Sequence, residues 1–213
     1  MSKPTVLLAD DHRIMLEGLR TLLEPEFDLV GTVSDGRALL KAARVLDPDV
    51  VVLDISMPSL NGMEAARKLR EFGLRARIVF LTMHPDTAYA TRALDAGASG
   101  YVLKHSAPSE LVTAIREALR GRTYVTPLIA GELAHAYGES AHHREDADTN
   151  LTSRQREVLQ LLAEGRSAKD IAETLCISPR TVEFHKYRMM EELNIKTTAE
   201  LVRYAVKHGI VTE

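Results

Sequence analysis

A chain of 213 residues with 45% hydrophobic and 27% charged side chains has the apolar material for one or two packed domains, which excludes disordered and collagen-like classes. Its net charge of −3 excludes a protein that coats nucleic acid along its whole surface. No apolar run approaches the roughly 20 residues that span a bilayer, and the start MSKPTVLLADDH lacks the layout of a signal peptide. The expectation is a soluble cytoplasmic protein with no membrane partner. Its single cysteine, Cys176, reads as a buried structural thiol, with no disulfide and no zinc site.

From Thr5 to Leu103, five short apolar runs read as strands: TVLLA, FDLVGTV, VVVLDI, RIVFLT and SGYVLK. Between them lie stretches with helical spacing, such as Met15, Leu16, Leu19, Leu22 and Leu23, or Ala65, Ala66 and Leu69. Nearly continuous apolar strands alternating with helices predict an α/β fold, a five-stranded, doubly wound parallel sheet with helices on both faces. In such sheets function gathers at the carboxyl ends of the strands. A fifth helix is predicted from Pro108 to Arg120, with Gly121 as its stop.

A short helix near Pro127 to Tyr137 precedes the polar segment GESAHHREDADTN, which reads as a linker. His142 and His143 within it are read as solvated, since no further ligands stand at metal-binding spacing. From Leu151 the pattern is all helical, with helices near 153–164, 168–175, 179–192 and 197–208. Thr152 with Gln155, Ser167 with Asp170, and Ser178 before Pro179 supply the caps. Only Cys176, Ile177 and Ser178 join the second and third of these helices, the short connection of a helix-turn-helix. The organisation is therefore 4–121, a linker over 122–148, and 149–213. Residues 1–122 carry 16 basic against 16 acidic side chains, 123–150 carry 1 against 5, and 151–213 carry 10 against 9. Any DNA contact must come from a local arrangement in the last part.

Asp10 and Asp11 at the end of the first strand converge with Asp54 at the end of the third. Crowded carboxylates call for a cation, and oxygen-only ligation suits Mg²⁺, which leaves room for a phosphoryl group. The bland alternative is that these acids cap the helices that follow. Thr82 and the segment Tyr101 to Lys104 put a hydroxyl and an ammonium near the same edge, the donors that a phosphorylated Asp54 would need.

Residues 4–121 resemble the CheY-like receiver domains of two-component response regulators, a flavodoxin-like fold. The resemblance rests on the DD of LLADDH, the Asp of VVVLDISMPSLNG, the Thr of VFLTMH and the Lys of GYVLKH. It implies that Asp54 takes phosphate from a sensor histidine kinase. It also implies that Asp11, Asp54 and the Ser56 carbonyl bind Mg²⁺, with Asp10 assisting through water. Thr82 and Lys104 would hold the phosphoryl group, and Tyr101 would turn inward as Thr82 moves, biasing the surface from helix 4 to helix 5. Phosphotransfer and slow autodephosphorylation at Asp54 would be its only chemistry, so it is not expected to be a dedicated enzyme. Two departures stand out: Met83 where a small residue is usual, and His105 where the lysine is often followed by proline.

At 100° per residue, Val182, Met189 and Leu193 share one side of helix 179–192, while Arg180, Glu183, Phe184, Tyr187, Arg188 and Glu191 share the other. Aromatics between arginines on an outward face suit a major groove, although Phe184 and Tyr187 could instead pack on a protein surface. The stretch LTSRQREVLQLLAEGRSAKDIAETLCISPRTVEFHKYRMMEELNI resembles the LuxR-type helix-turn-helix of NarL/FixJ-class regulators. That implies a reading helix in the major groove of double-stranded DNA, with Thr181 and Lys186 on phosphate. The last helix would support a homodimer on paired promoter half-sites, with RNA polymerase a further partner. Glu183 and Tyr187 depart from positions that are often basic in this class. The leading expectation is a phosphorylation-switched transcription regulator. The alternatives are a phosphate-independent regulator of the same fold, or an α/β phosphatase, which the absence of a Gly-rich phosphate loop disfavours.

Overall fold

In the computed structural model, residues 2–106, 108–139 and 151–211 are described. The chain divides into two compact units, Met1–Ala147 and Asp148–Glu213.

In the first unit, strands β1 (Thr5–Ala9), β2 (Asp28–Val33), β3 (Val50–Leu53), β4 (Arg77–Thr82) and β5 (Gly100–Leu103) alternate with helices α1 (Arg13–Leu23), α2 (Gly36–Leu46), α3 (Gly62–Glu71), α4 (Thr87–Asp95) and α5 (Pro108–Leu119). A further strand, β6 (Tyr124–Val125), and a helix, α6 (Pro127–Glu139), complete it. All pairings are parallel and the order is β2-β1-β3-β4-β5-β6. The five-stranded expectation is thus corrected to six strands. Two residues are too few to show an alternating pattern, and β6 forms because the β5 edge offers it partners: Tyr124 N–H donates to Ser99 and Thr126 N–H to Tyr101.

Side chains alternate across the pleat and feed two cores. Leu7, Val51, Leu53, Ile78, Phe80 and Tyr101 pack with residues of α2, α3, α4 and α6. Val6, Leu8, Val50, Val52, Val79 and Leu81 pack with α1 and α5. The order reverses at β1 and β3, so the crossovers diverge there and leave a crevice at the carboxyl ends of these two strands. Asp10 and Asp54 each follow the last residue of one of them.

The second unit is built from α7 (Ser153–Ala163), α8 (Ala168–Leu175), α9 (Pro179–Glu192) and α10 (Thr198–Lys207) around Val158, Leu159, Ile171, Val182, Met189 and Leu201. Thr152, Ser167 and Ser178 cap α7, α8 and α9 as the sequence suggests, the first two in reciprocal capping boxes. Cys176 is a correction: it is exposed, not buried. It ends α8 with φ 54°, a left-handed turn that reverses the chain and leaves its side chain outside the core. Of the segment read as a linker, residues 140–150, with His142 and His143, lie outside the described residues.

Candidate functional site

The crevice at the ends of β1 and β3 is acidic. Asp10 and Asp54 are almost fully buried, at 2% and 3% exposure, whereas Asp11 is exposed. Lys104, the residue after β5, lies between the two buried acids, its Nζ 2.7 Å from Asp10 Oδ2 and 2.7 Å from Asp54 Oδ2. Removal from water pushes the Asp54 carboxyl above its usual range, against the ammonium of Lys104, which pulls it down. Lys104 is itself held above the ordinary lysine range by its bonds to Asp10 and Asp54, which outweigh its desolvation.

The other Asp54 oxygen, Oδ1, is buried without a hydrogen-bond partner. A buried unpaired carboxylate oxygen is costly. Ligand oxygens of Asp10, Asp11 and Asp54, together with a ring nitrogen of His12, all lie within 4.8 Å of one another. One ammonium does not balance three carboxylates, so the donor set fits a small, hard divalent cation.

Close approach of α3 shapes the crevice. Its first residue, Gly62, donates its N–H to Ile55 O at 2.8 Å, and a Cβ at that position would sit 2.0 Å from the Asp54 carbonyl oxygen. Only glycine allows the loop after β3 to lie so near the helix. On the far side, Thr82 is fully buried and its Oγ1 accepts the His84 N–H at 3.3 Å. Tyr101, expected to turn inward on activation, is already fully buried, and its hydroxyl donates to His84 O at 2.8 Å. Burial raises its phenol well above the usual range. Met83 is largely exposed, and the Lys104–His105 peptide is trans.

His84 is a residue that sequence reasoning missed. Its Nε2 lies 3.0 Å from Ser56 Oγ, and its ring stacks on Tyr89 of α4 with centroids 4.3 Å apart. One side chain thus touches both the loop after Asp54 and the helix beyond β4. A lone histidine two residues past a strand end carries no spacing signal that could have flagged it.

In the second unit, α9 buries Val182 and Met189 and half-buries Leu193, as its periodicity predicts. Arg180, Phe184, Tyr187 and Arg188 are exposed, while Thr181, Glu183 and Lys186 are half-buried. Lys186 pairs with Glu183 one turn earlier and lies over the Tyr187 ring. Arg188 Nε donates to Glu192 Oε1 at 3.0 Å. Large aromatics left in water at 58% and 62% exposure, flanked by arginines, make this face a candidate nucleic-acid interface.

The sequence matches the response regulator receiver domain over residues 6–116 and the bacterial regulatory proteins of the luxR family over 149–205. The chain belongs to the response regulators with a LuxR-type DNA-binding domain. It is 38% identical to the transcriptional regulatory protein MctR of Rhizobium johnstonii, over 99% of this chain and 97% of that protein. It is 35% identical to the response regulator UvrY of Escherichia coli, over 96% of this chain and 94% of UvrY. RcsB from Salmonella enterica serovar Typhimurium, solved bound to promoter P1flhDC in the presence of the phosphomimetic BeF3−, is similar at 29% identity. That likeness has a TM-score of 0.63 and covers 97% of this chain and 100% of that chain. This response regulator is accordingly a DNA-binding transcription regulator of a two-component system. No helix among its described residues is long and apolar enough to cross a membrane.

Proposed function

We propose that Asp54 is the phosphoacceptor of this response regulator, and that its phosphorylation by a sensor histidine kinase controls dimerisation and promoter binding through α9 in the cytoplasm. The observation that carries the reading is the Lys104 ammonium at 2.7 Å from Asp54 Oδ2, beside a buried Asp54 Oδ1 with no partner. An Asp54 oxygen attacks the phosphorus of a phosphohistidine; the new P–O bond forms as the P–N bond breaks, and the released imidazole takes up a proton. Lys104 and the Thr82 hydroxyl then hold the phosphoryl oxygens, which bring about −1.5 to −2 charge.

Asp11, Asp54 and the Ser56 carbonyl are the groups that would hold Mg²⁺, with Asp10 acting through water. When bound, the ion supplies neutralisation of the charge on the transferring group. Recruitment of the Thr82 hydroxyl takes it from the His84 N–H, and the β4–α4 loop carrying His84 is where Tyr101 and Tyr89 attach. The switch is thereby tied to α4. Phosphotransfer and slow loss of phosphate at this one aspartate are the chain's only chemistry under this reading.

On α9, Arg180, Thr181, Glu183, Phe184, Lys186, Tyr187 and Arg188 form the DNA face, and two copies on paired half-sites follow the pattern of RcsB, solved as two dimers bound to two parallel DNAs. The deciding experiment is intact mass after incubation with acetyl phosphate and Mg²⁺, beside Asp54→Asn, with sizing of the same samples. One added phosphoryl, absent from the variant and accompanied by a shift toward dimer, is the expected result. No adduct on the parent chain would favour a regulator that works without phosphate.

A further inference from the structure

The basic side chains on the α9 face are not held alike. Arg180 is exposed with no partner among the described residues, and Lys186 is neutralised by Glu183. Arg188 is held by a chain of bonds that begins in the core of the unit. Gln155 of α7 is buried at 3% exposure, and its Oε1 accepts the Thr152 N–H at 2.7 Å as half of the α7 capping box. Its Nε2 donates to Glu192 Oε2 at 2.7 Å. The other Glu192 oxygen accepts Arg188 Nε at 3.0 Å. A helix cap, a buried amide and a carboxylate thus anchor one arginine on the exposed face.

The geometry decides which edge of the guanidinium is left over. With Nε on Glu192, the fork formed by Nη1 and Nη2 has no partner among the described residues. A two-pronged donor with a fixed plane matches the O6 and N7 acceptors of guanine in the major groove. Phosphate, by contrast, asks only for charge and accepts many orientations. Holding a long side chain in advance also spares the ordering that binding would otherwise cost. The Glu192 carboxyl sits below its usual range, first because of Arg188 and then because of Gln155, in keeping with a carboxylate fixed between two donors.

We propose that Glu192 is a positioning residue that holds Arg188 for readout of a base edge, so that it sets sequence discrimination rather than overall DNA affinity. This rests on the reading of α9 as the DNA face.

The experiment uses the full chain treated with acetyl phosphate and Mg²⁺. A duplex selected by the parent protein from a randomised pool and a scrambled duplex of equal length serve as probes. Affinities for both are measured for the parent, Glu192→Ala, Arg188→Ala and the double variant, with melting temperatures as a folding control. Glu192→Ala is expected to lower the ratio of selected to scrambled affinity about tenfold, within the range a bidentate base contact can supply. In the Arg188→Ala background the same change should leave that ratio unaltered, because the lost negative charge alone acts equally on both duplexes.

A ratio untouched by Glu192→Ala, or lowered equally in both backgrounds, overturns the inference. So does an Arg188→Ala variant that weakens both duplexes alike, since Arg188 would then be a phosphate contact. An Arg188→Ala variant that changes neither affinity removes Arg188 from the DNA face, and this inference falls with that part of the reading.

Discussion

Asp54 is a charge kept in a poor place for charge. Burial lifts its carboxyl above the ordinary aspartate range in spite of Lys104. A carboxyl with a raised folded-state pKa binds its proton more tightly folded than unfolded. Its contribution to stability is therefore fully present below the unfolded value and is lost as pH rises through the raised one. At neutral pH in EDTA, Asp54→Asn should melt higher than the parent, by about 1 kcal/mol, and the gap should close as the pH falls into the ordinary carboxylate range. Lys104 keeps Asp10 as partner in the variant, so the ammonium is not orphaned. Added Mg²⁺ should raise the parent's melting temperature more than the variant's. A variant that melts lower than the parent at pH 7 would sink this account of the site. On α9, Arg180→Ala should weaken binding to every duplex and lessen its salt dependence. Phe184→Ala should alter base preference, and an unchanged preference in a binding titration would remove the aromatic from the readout. The acidic pair, Asp54, Thr82 and Lys104 were legible because strand ends in a parallel sheet converge, which turns one-dimensional positions into a cluster. His84 was not, and Cys176 was misread, because neither its type nor its spacing reveals that a left-handed turn holds a side chain outside.

At the scale of elements, helices were legible from their period, since each buries a continuous face, and central strands from short apolar runs, since both of their faces are buried. The two-residue β6 was not, because it exists through its partner: Leu103 N–H donates to Thr126 Oγ1 at 3.2 Å, just beside the strand that carries Tyr101. α6 follows and packs Ile129 and Leu133 into the same core as Tyr101, Ala90 and Ala93. The segment after α5 is therefore fastened to the strand that carries Tyr101 and packed into the same core as α4. Leu133→Ala should cost about 2 kcal/mol, the lower end for a buried leucine because, among residues 127–134, only Ile129 and Leu133 are buried. The approach of α3 to Asp54 makes a sharper case. Gly62→Ala would put a methyl group 2.0 Å from the Asp54 carbonyl, and neither backbone can yield without moving Asp54. A loss of about 2 kcal/mol is expected, with slower uptake of phosphate from acetyl phosphate at temperatures where the variant is still folded. Normal uptake by a folded Gly62→Ala chain would show that the loop has more freedom than this packing allows.

Over the whole molecule, the two units differ in how they are built and in what they respond to. The first has a sheet between two apolar layers, and the second a single cluster of four helices around Val158, Leu159, Val182 and Leu201. Each core is closed by its own elements, so each should unfold as its own cooperative step. The groups that fit Mg²⁺ all belong to the first unit. A ligand stabilises only the unit that binds it in its folded form, by an amount that grows with the logarithm of its concentration. Differential scanning calorimetry of the unphosphorylated chain should therefore resolve two transitions, of which Mg²⁺ raises one and leaves the other in place. Asp54→Asn in EDTA should move that same transition, and Leu201→Ala in the helical core should lower only its counterpart. If Mg²⁺ instead shifted a single merged transition, the two cores would be energetically one.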